Sequence, residues 1–294
     1  MYVEIGQHGS REFFEGLRAD AAARGLLEAD FSLNLRSQFH ELFWEIYLAG
    51  ALLRAGFALK RGNAKLREPD YRFAIGRTTI FIEAVACGDP SDLANRVIPP
   101  SQEDDSDFED GIAKVGHSVQ RLAQAIDYKI QAVTRPSALA AMNAHGPNFV
   151  VIAVNGCRAL NGHPHNDPGI PFLPFVAQAL FGATEQRMYS DGRVVWICAS
   201  RMNKTPEDTK SFPVGHFTDR IWTTKDRKTG AEICVPTTHI AGVVYSQSSA
   251  DHTAVPLGDD FVFIQNPHGP DATELFRFCK GGRWVREGDA LRRL

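Results

Sequence analysis

Between residues 39 and 86 the spacing of apolar side chains changes period twice. In FHELFWEIYLAGALLRAGF, Phe39, Phe43, Ile46 and Leu53 recur at helical spacing, which predicts a helix over 38–56. Glu41 and Glu45, one turn apart, share its other face. After the basic loop KRGNAKLRE, Tyr71, Phe73 and Ile75 alternate with Arg72 and Ala74, the period of two of a strand. Gly76-Arg77 supplies a hairpin turn. Ile80, Phe81, Ile82, Ala84 and Val85 then form a nearly continuous run, as in a strand buried on both faces.

The helical period returns at 112–134, where Val119, Leu122, Ile126 and Ile130 make a core stripe. NFVVIAV, 148–154, reads as a further strand between Gly146-Pro147 and Asn155-Gly156. A helix crossing between strands implies that they are parallel neighbours. An amphipathic helical cap is expected at about 9–28 and a short strand near 57–60. In the second half the pattern predicts a helix at 171–182 and strands at 194–199, 240–246 and 261–264. The segment 203–236, rich in Lys, Thr, Asp and Pro, reads as a long surface excursion. Its Phe212, Phe217, Ile221 and Trp222 are expected to pack on the core, with stacking on bases as the alternative.

Glu83 breaks the apolar run. An unpaired carboxylate in a buried strand costs several kcal/mol or stays protonated. Either a cation or a basic side chain in a structural ion pair would relieve that cost. Asp70, directly after Pro69 at the start of the partner strand, favours the cation, because hairpin pairing brings two carboxylates to one point.

Composition narrows the setting. The chain has 294 residues, enough for one large or two modest domains, and its 44% hydrophobic and 10% aromatic content sustains a core. No run is apolar enough to span a bilayer, and Met1-Tyr2-Val3-Glu4 does not open a signal peptide. Five scattered cysteines, without a C-x-x-C pair, fit reduced thiols in a cytoplasmic protein. Cys87, ending a buried strand, reads as an inert thiol.

The formal net charge of -3 does not announce a nucleic-acid binder, yet the charge is uneven. QEDDSDFED, 102–110, reads as a solvated acidic loop. Lys60, Arg61, Lys65 and Arg67 precede Asp70, either meeting phosphates or simply solvating a loop. His163-Pro164-His165-Asn166-Asp167 reads as a turn rather than a zinc site. Walker, dinucleotide and G-x-S-x-G motifs are lacking.

Pro69-Asp70, then Glu83 about a dozen residues on, within this element order, resembles the PD-(D/E)XK nuclease superfamily. Trp44-Glu45-Ile46 and Glu83-Ala84-Val85 resemble the corresponding segments of poorly characterised bacterial members. The likeness covers roughly residues 35–155. It implies an α/β fold with a restriction-endonuclease-like core: a helix, a three-stranded meander, a crossover helix and a fourth strand. The chain would then divide into a helical cap (1–34), a nuclease core (35–156) and a C-terminal α+β elaboration packed on that core (157–294).

The implied activity is Mg2+- or Mn2+-dependent hydrolysis of phosphodiester bonds in DNA, or in RNA, within restriction or phage defence; a homodimer is compatible. Asp70 and Glu83 would ligate the metal, with Glu45, or Glu41 second to it, serving a further cation or water. The superfamily places a lysine two residues after the glutamate, where this chain has Val85. Some members supply it from the following helix. Lys129, at the edge of the 112–134 stripe, is the candidate here, with Gln120 and Gln124 on the same helix; otherwise Lys129 is a boundary lysine with its stem on the core. The missing lysine also allows a non-catalytic scaffold of the same fold.

Overall fold

The computed structural model describes residues 2–4, 7–27, 30–35, 37–87, 108–157, 175–188, 194–198, 201–203, 211–226, 229–248, 252–254, 257–287 and 290–294. Its centre is an eight-stranded sheet whose neighbours follow chain order. The strands are β1 (Lys60–Arg61), β2 (Tyr71–Ile75), β3 (Thr78–Ala86), β4 (Asn148–Asn155), β5 (Ile240–Ser246), β6 (Val262–Gln265), β7 (Gly282–Glu287) and β8 (Ala290–Arg293). β1, β2 and β3 form an antiparallel meander. β4 lies parallel to β3, and β5 parallel to β4. The class is mixed α/β.

Helices cover both faces. α1 (Gln7–Ala23) and α2 (Phe39–Arg54) lie on one side; α3 (Phe108–Val133), α4 (Pro136–Asn143) and α5 (Phe175–Phe181) lie on the other. Alternation along the strands assigns side chains to these layers. Ile80, Ile82 and Ala84 pack toward α2, whereas Phe81 and Val85 pack toward α3. Trp44, fully buried on α2, spends its indole N–H on the Ala153 carbonyl at 3.2 Å, which ties that helix to β4. Val119, Leu122, Ile126 and Ile130 are all buried on α3 as the stripe predicts. At roughly 1.5–3 kcal/mol for each large apolar side chain removed from water, this face holds α3 against the sheet. Among the described residues no helix is long and apolar enough to cross a membrane.

The sequence and the structure part in two places. The strand expected near 57–60 pairs only at Lys60 and Arg61. Phe57 instead stacks on Phe73, ring centroids 4.3 Å apart. The supposed excursion 203–236 contains an antiparallel hairpin, Ile221–Lys225 with Glu232–Pro236, and buries Val214, His216, Phe217 and Trp222. Phe217 and Trp222 pack inward as expected, whereas Ile221 is 57% exposed; the polar composition hid the hairpin and the burial of Val214 and His216.

That hairpin grips α3 through Asp127. Trp222 Nε1 donates to Asp127 Oδ1 at 2.7 Å, and Thr224 Oγ1 and Gln131 Nε2 donate to Oδ2 at 3.1 and 2.9 Å. His216 lies against the Trp222 ring, centroids 4.2 Å apart. Burial pushes His216 down to about 4, with nearby Asp127 opposing the shift. The unfolded chain therefore takes up a proton near the ordinary histidine value of about 6.5 that the folded chain refuses. The stability contribution is present above that value and is lost as pH falls toward about 4. Urea unfolding between these limits should show wild type losing up to about 1.4 kcal/mol per pH unit more than His216→Phe. Equal slopes would refute the assignment.

Candidate active site

Asp70 sits one residue before β2. The register pairs Tyr71 with Ile82, so one further step sets Asp70 opposite Glu83. Directly opposed residues of an antiparallel pair share a face. That face also carries Phe81 and Val85 and is covered by α3. The hairpin closes through Gly76, whose φ of 58° suits glycine in a two-residue loop. A second glycine shapes the site itself. A Cβ on Gly62 would lie 1.8 Å from the Pro69 carbonyl oxygen, so only glycine lets β1 run this close to the segment bearing Asp70.

Asp70 Oδ2 accepts the Ala84 backbone N–H at 2.7 Å, which pins the aspartate to the glutamate strand. Glu83 Oε1 accepts from Lys129 Nζ at 2.6 Å. Both side chains are mostly enclosed, 12% exposed for Glu83 and 16% for Lys129. Burial first, and Asp70 second, push the Glu83 carboxyl up to about 7, against the pull of Lys129. The Lys129 ammonium is also raised: Glu83 and Asp70 hold its proton more strongly than burial expels it. Asp70 contributes to both directions, since it repels the Glu83 carboxylate and attracts the Lys129 ammonium.

Arg61 forms the rim. It reaches Glu45 Oε2 at 2.8 Å and Asp70 Oδ1 at 3.8 Å, and its guanidinium lies over the Tyr71 ring, 4.9 Å from the centroid. The Tyr71 hydroxyl donates to the Glu45 carbonyl at 3.2 Å. Arg61 thus bridges Glu45 and Asp70, so Glu45, expected to serve a further cation or water, is engaged by a guanidinium. No group of three or more His, Cys, Asp or Glu side chains suited to a metal occurs among the described residues. Glu41, in the first turn of α2, does not join the Asp70–Glu83 pair in such a group.

Of the four basic loop residues, Arg61 turns inward while Lys60, Lys65 and Arg67 stay exposed. The loop is ordered by its own contacts: Asn63 Oδ1 accepts the Lys65 N–H at 3.1 Å, and Glu68 Oε2 accepts the Asn63 N–H at 2.9 Å. Gln124 is exposed on α3 and Gln120 half-buried. His163–Asp167 and 102–107 of the acidic run lie outside the described residues, whereas 108–110, expected in the acidic loop, open α3 instead. Neither a phosphate contact nor a solvated loop position describes Arg61, whose partner is set by β1 packing at the sheet edge and by no spacing in the chain.

The donor set suits a small hard cation. Mg2+ keeps several waters and takes only one or two protein carboxylates, with substrate phosphate filling further positions. Asp70 and Glu83 present two, facing the Lys129 ammonium and the Arg61 guanidinium. No protein-family model, curated protein or solved structure matches this chain.

Proposed function

We propose that this protein is a Mg2+- or Mn2+-dependent nuclease acting on DNA, a divergent relative of the PD-(D/E)XK superfamily whose lysine comes from the crossover helix. The observation that carries the reading is the 2.6 Å contact between Lys129 Nζ and Glu83 Oε1, with Asp70 across the hairpin. Val85 shares a strand face with Glu83 and packs under α3. A lysine at that position would point to the same side of the sheet from which Lys129 descends, so the helix delivers an ammonium where the strand lacks one.

When bound, a divalent cation supplies charge neutralisation on the phosphate and acidifies a water molecule. Asp70 and Glu83 would hold that cation. Lys129 donates a hydrogen bond to the attacking water and offsets charge developing on the phosphoryl oxygens. The water oxygen bonds to phosphorus and releases one proton to bulk solvent, the P–O bond to the departing strand breaks, and the leaving oxygen takes a proton from solvent. Ala84 N–H keeps Asp70 in register throughout. Lys60, Lys65 and Arg67, exposed beside the site, supply phosphate contacts that position the strand.

A non-catalytic scaffold is the second reading. It is favoured by the two closed ion pairs, Lys129–Glu83 and Arg61–Glu45, which satisfy the buried charges without a cation. One experiment separates them. Thermal melts in rising Mn2+ should lift the wild-type midpoint, by about 2.7 kcal/mol of stabilisation at a hundred times Kd, and leave Asp70→Asn unmoved. The same protein should nick DNA in Mn2+. A midpoint that rises equally in Asp70→Asn removes the metal site, and a wild type that cleaves neither DNA nor RNA leaves the scaffold.

A further inference from the structure

A second reactive group lies at the carboxyl end of β4, and it owes nothing to the nuclease reading. Cys157 follows that strand directly, where Asn155 fixes the turn: its Oδ1 accepts the Cys157 N–H at 3.1 Å, and its Nδ2 donates to the Ser248 carbonyl at 2.7 Å. Asn155 is fully buried, so the cysteine backbone is held rigidly. From the other side comes His40, the second residue of α2, 5% exposed. Its Nε2 lies 3.4 Å and its Nδ1 3.7 Å from Cys157 Sγ. Two elements far apart in sequence thus converge to place an imidazole edge on a thiol.

Of the cysteines whose side chains are described, Cys87, Cys234 and Cys279 lack this arrangement. Cys87 and Cys279 are buried. Cys234 is exposed, but its sulfur faces the Thr223 hydroxyl at 3.8 Å, which cannot accept the thiol proton as an imidazole does. Cys157 is half-exposed, so it has both a base and access to solvent. A thiol that gives its proton to a neighbouring imidazole becomes the nucleophilic thiolate.

We propose that Cys157 and His40 form a thiol–disulfide exchange site that takes small disulfides of the glutathione type and carries a reversible mixed disulfide. Sγ gives its proton to the ring and attacks one sulfur of the incoming disulfide. That S–S bond breaks as the new one forms, and the departing thiolate leaves with the proton from His40. No electrons are gained or lost overall, and the incoming disulfide is the oxidant. The partial burial of Cys157 favours a small disulfide over a bulky one.

The test uses the full chain at neutral pH with oxidised glutathione and, separately, iodoacetamide, followed by peptide mapping over time. Wild type is expected to carry a single early adduct on Cys157, formed about tenfold faster than the adduct on Cys234. His40→Gln should bring the Cys157 rate down to that of Cys234, and Cys157→Ser should remove the early adduct. Dithiothreitol should release the glutathione adduct. Should His40→Gln fail to fold, as judged by circular dichroism, the ratio of the two rates in wild type decides. Equal rates in wild type, first reaction at Cys234, or an unchanged Cys157 rate in folded His40→Gln overturns the proposal.

Discussion

Lys129→Ala should abolish DNA cleavage while Mn2+ still binds. The ammonium acts on water and phosphate, not on the cation, so its removal leaves Asp70 and Glu83 in place as ligands. Losing one positioned donor at developing charge typically lowers kcat by about 10²–10³-fold. Metal binding should survive, and tighten if anything, because Glu83 Oε1 no longer shares its charge with the 2.6 Å ammonium contact. Calorimetric titration with Mn2+ beside a plasmid-nicking assay reads the two quantities separately. Val85→Lys in the Lys129→Ala background then asks whether the strand position can substitute. Nicking that is undiminished in Lys129→Ala would leave the lysine a boundary residue and remove it from the mechanism.

Glu83→Gln should do more damage, and to both properties. It removes a ligand, so cation binding and cleavage fall together. It also leaves Lys129, only 16% exposed, without the carboxylate that holds its proton. Breaking a buried pair by removing one partner costs about 3–5 kcal/mol; the partial exposure of this pair puts the expected loss at about 2–4 kcal/mol in metal-free protein. Urea unfolding measures it. The double variant Glu83→Gln, Lys129→Met should recover most of that stability and none of the activity, since it removes the stranded charge. Stability equal to wild type in the single variant would show that water already solvates the pair. Cleavage persisting in Glu83→Gln would place the chemistry elsewhere.

The hairpin was legible because both of its signals are local. Period two over 71–75, the Gly76-Arg77 turn and the apolar run over 78–86 determine the register, and the register alone sets Asp70 opposite Glu83. The burial of Val119, Leu122, Ile126 and Ile130 followed from helical spacing in the same way, and placed Lys129 at the edge of that face. β5 was read to the residue, Ile240–Ser246, because a run buried throughout has no competing pattern. What stayed hidden depends on tertiary placement. Arg61 meets Glu45 only because a two-residue strand at the sheet edge turns its side chain toward α2. β8, the edge strand, ends in Arg292-Arg293, and its neighbour β7 carries Arg283 and Arg286, a charged composition that reads poorly as strand. The Asp127 clamp joins α3 to a hairpin almost a hundred residues later, and no spacing announces it.

The parallel pairing of β3 with β4 has a kinetic consequence. Asp70 and Glu83 belong to one hairpin, whose closure is a microsecond event of short loop length. Lys129 arrives only when α3 has docked and β4 has found β3, a contact that must close a far longer loop. On the ribosome, the carboxylates therefore meet well before their ammonium does. In the proposed nuclease, hydrolytic competence would then appear last, as a property of the completed fold rather than of the hairpin.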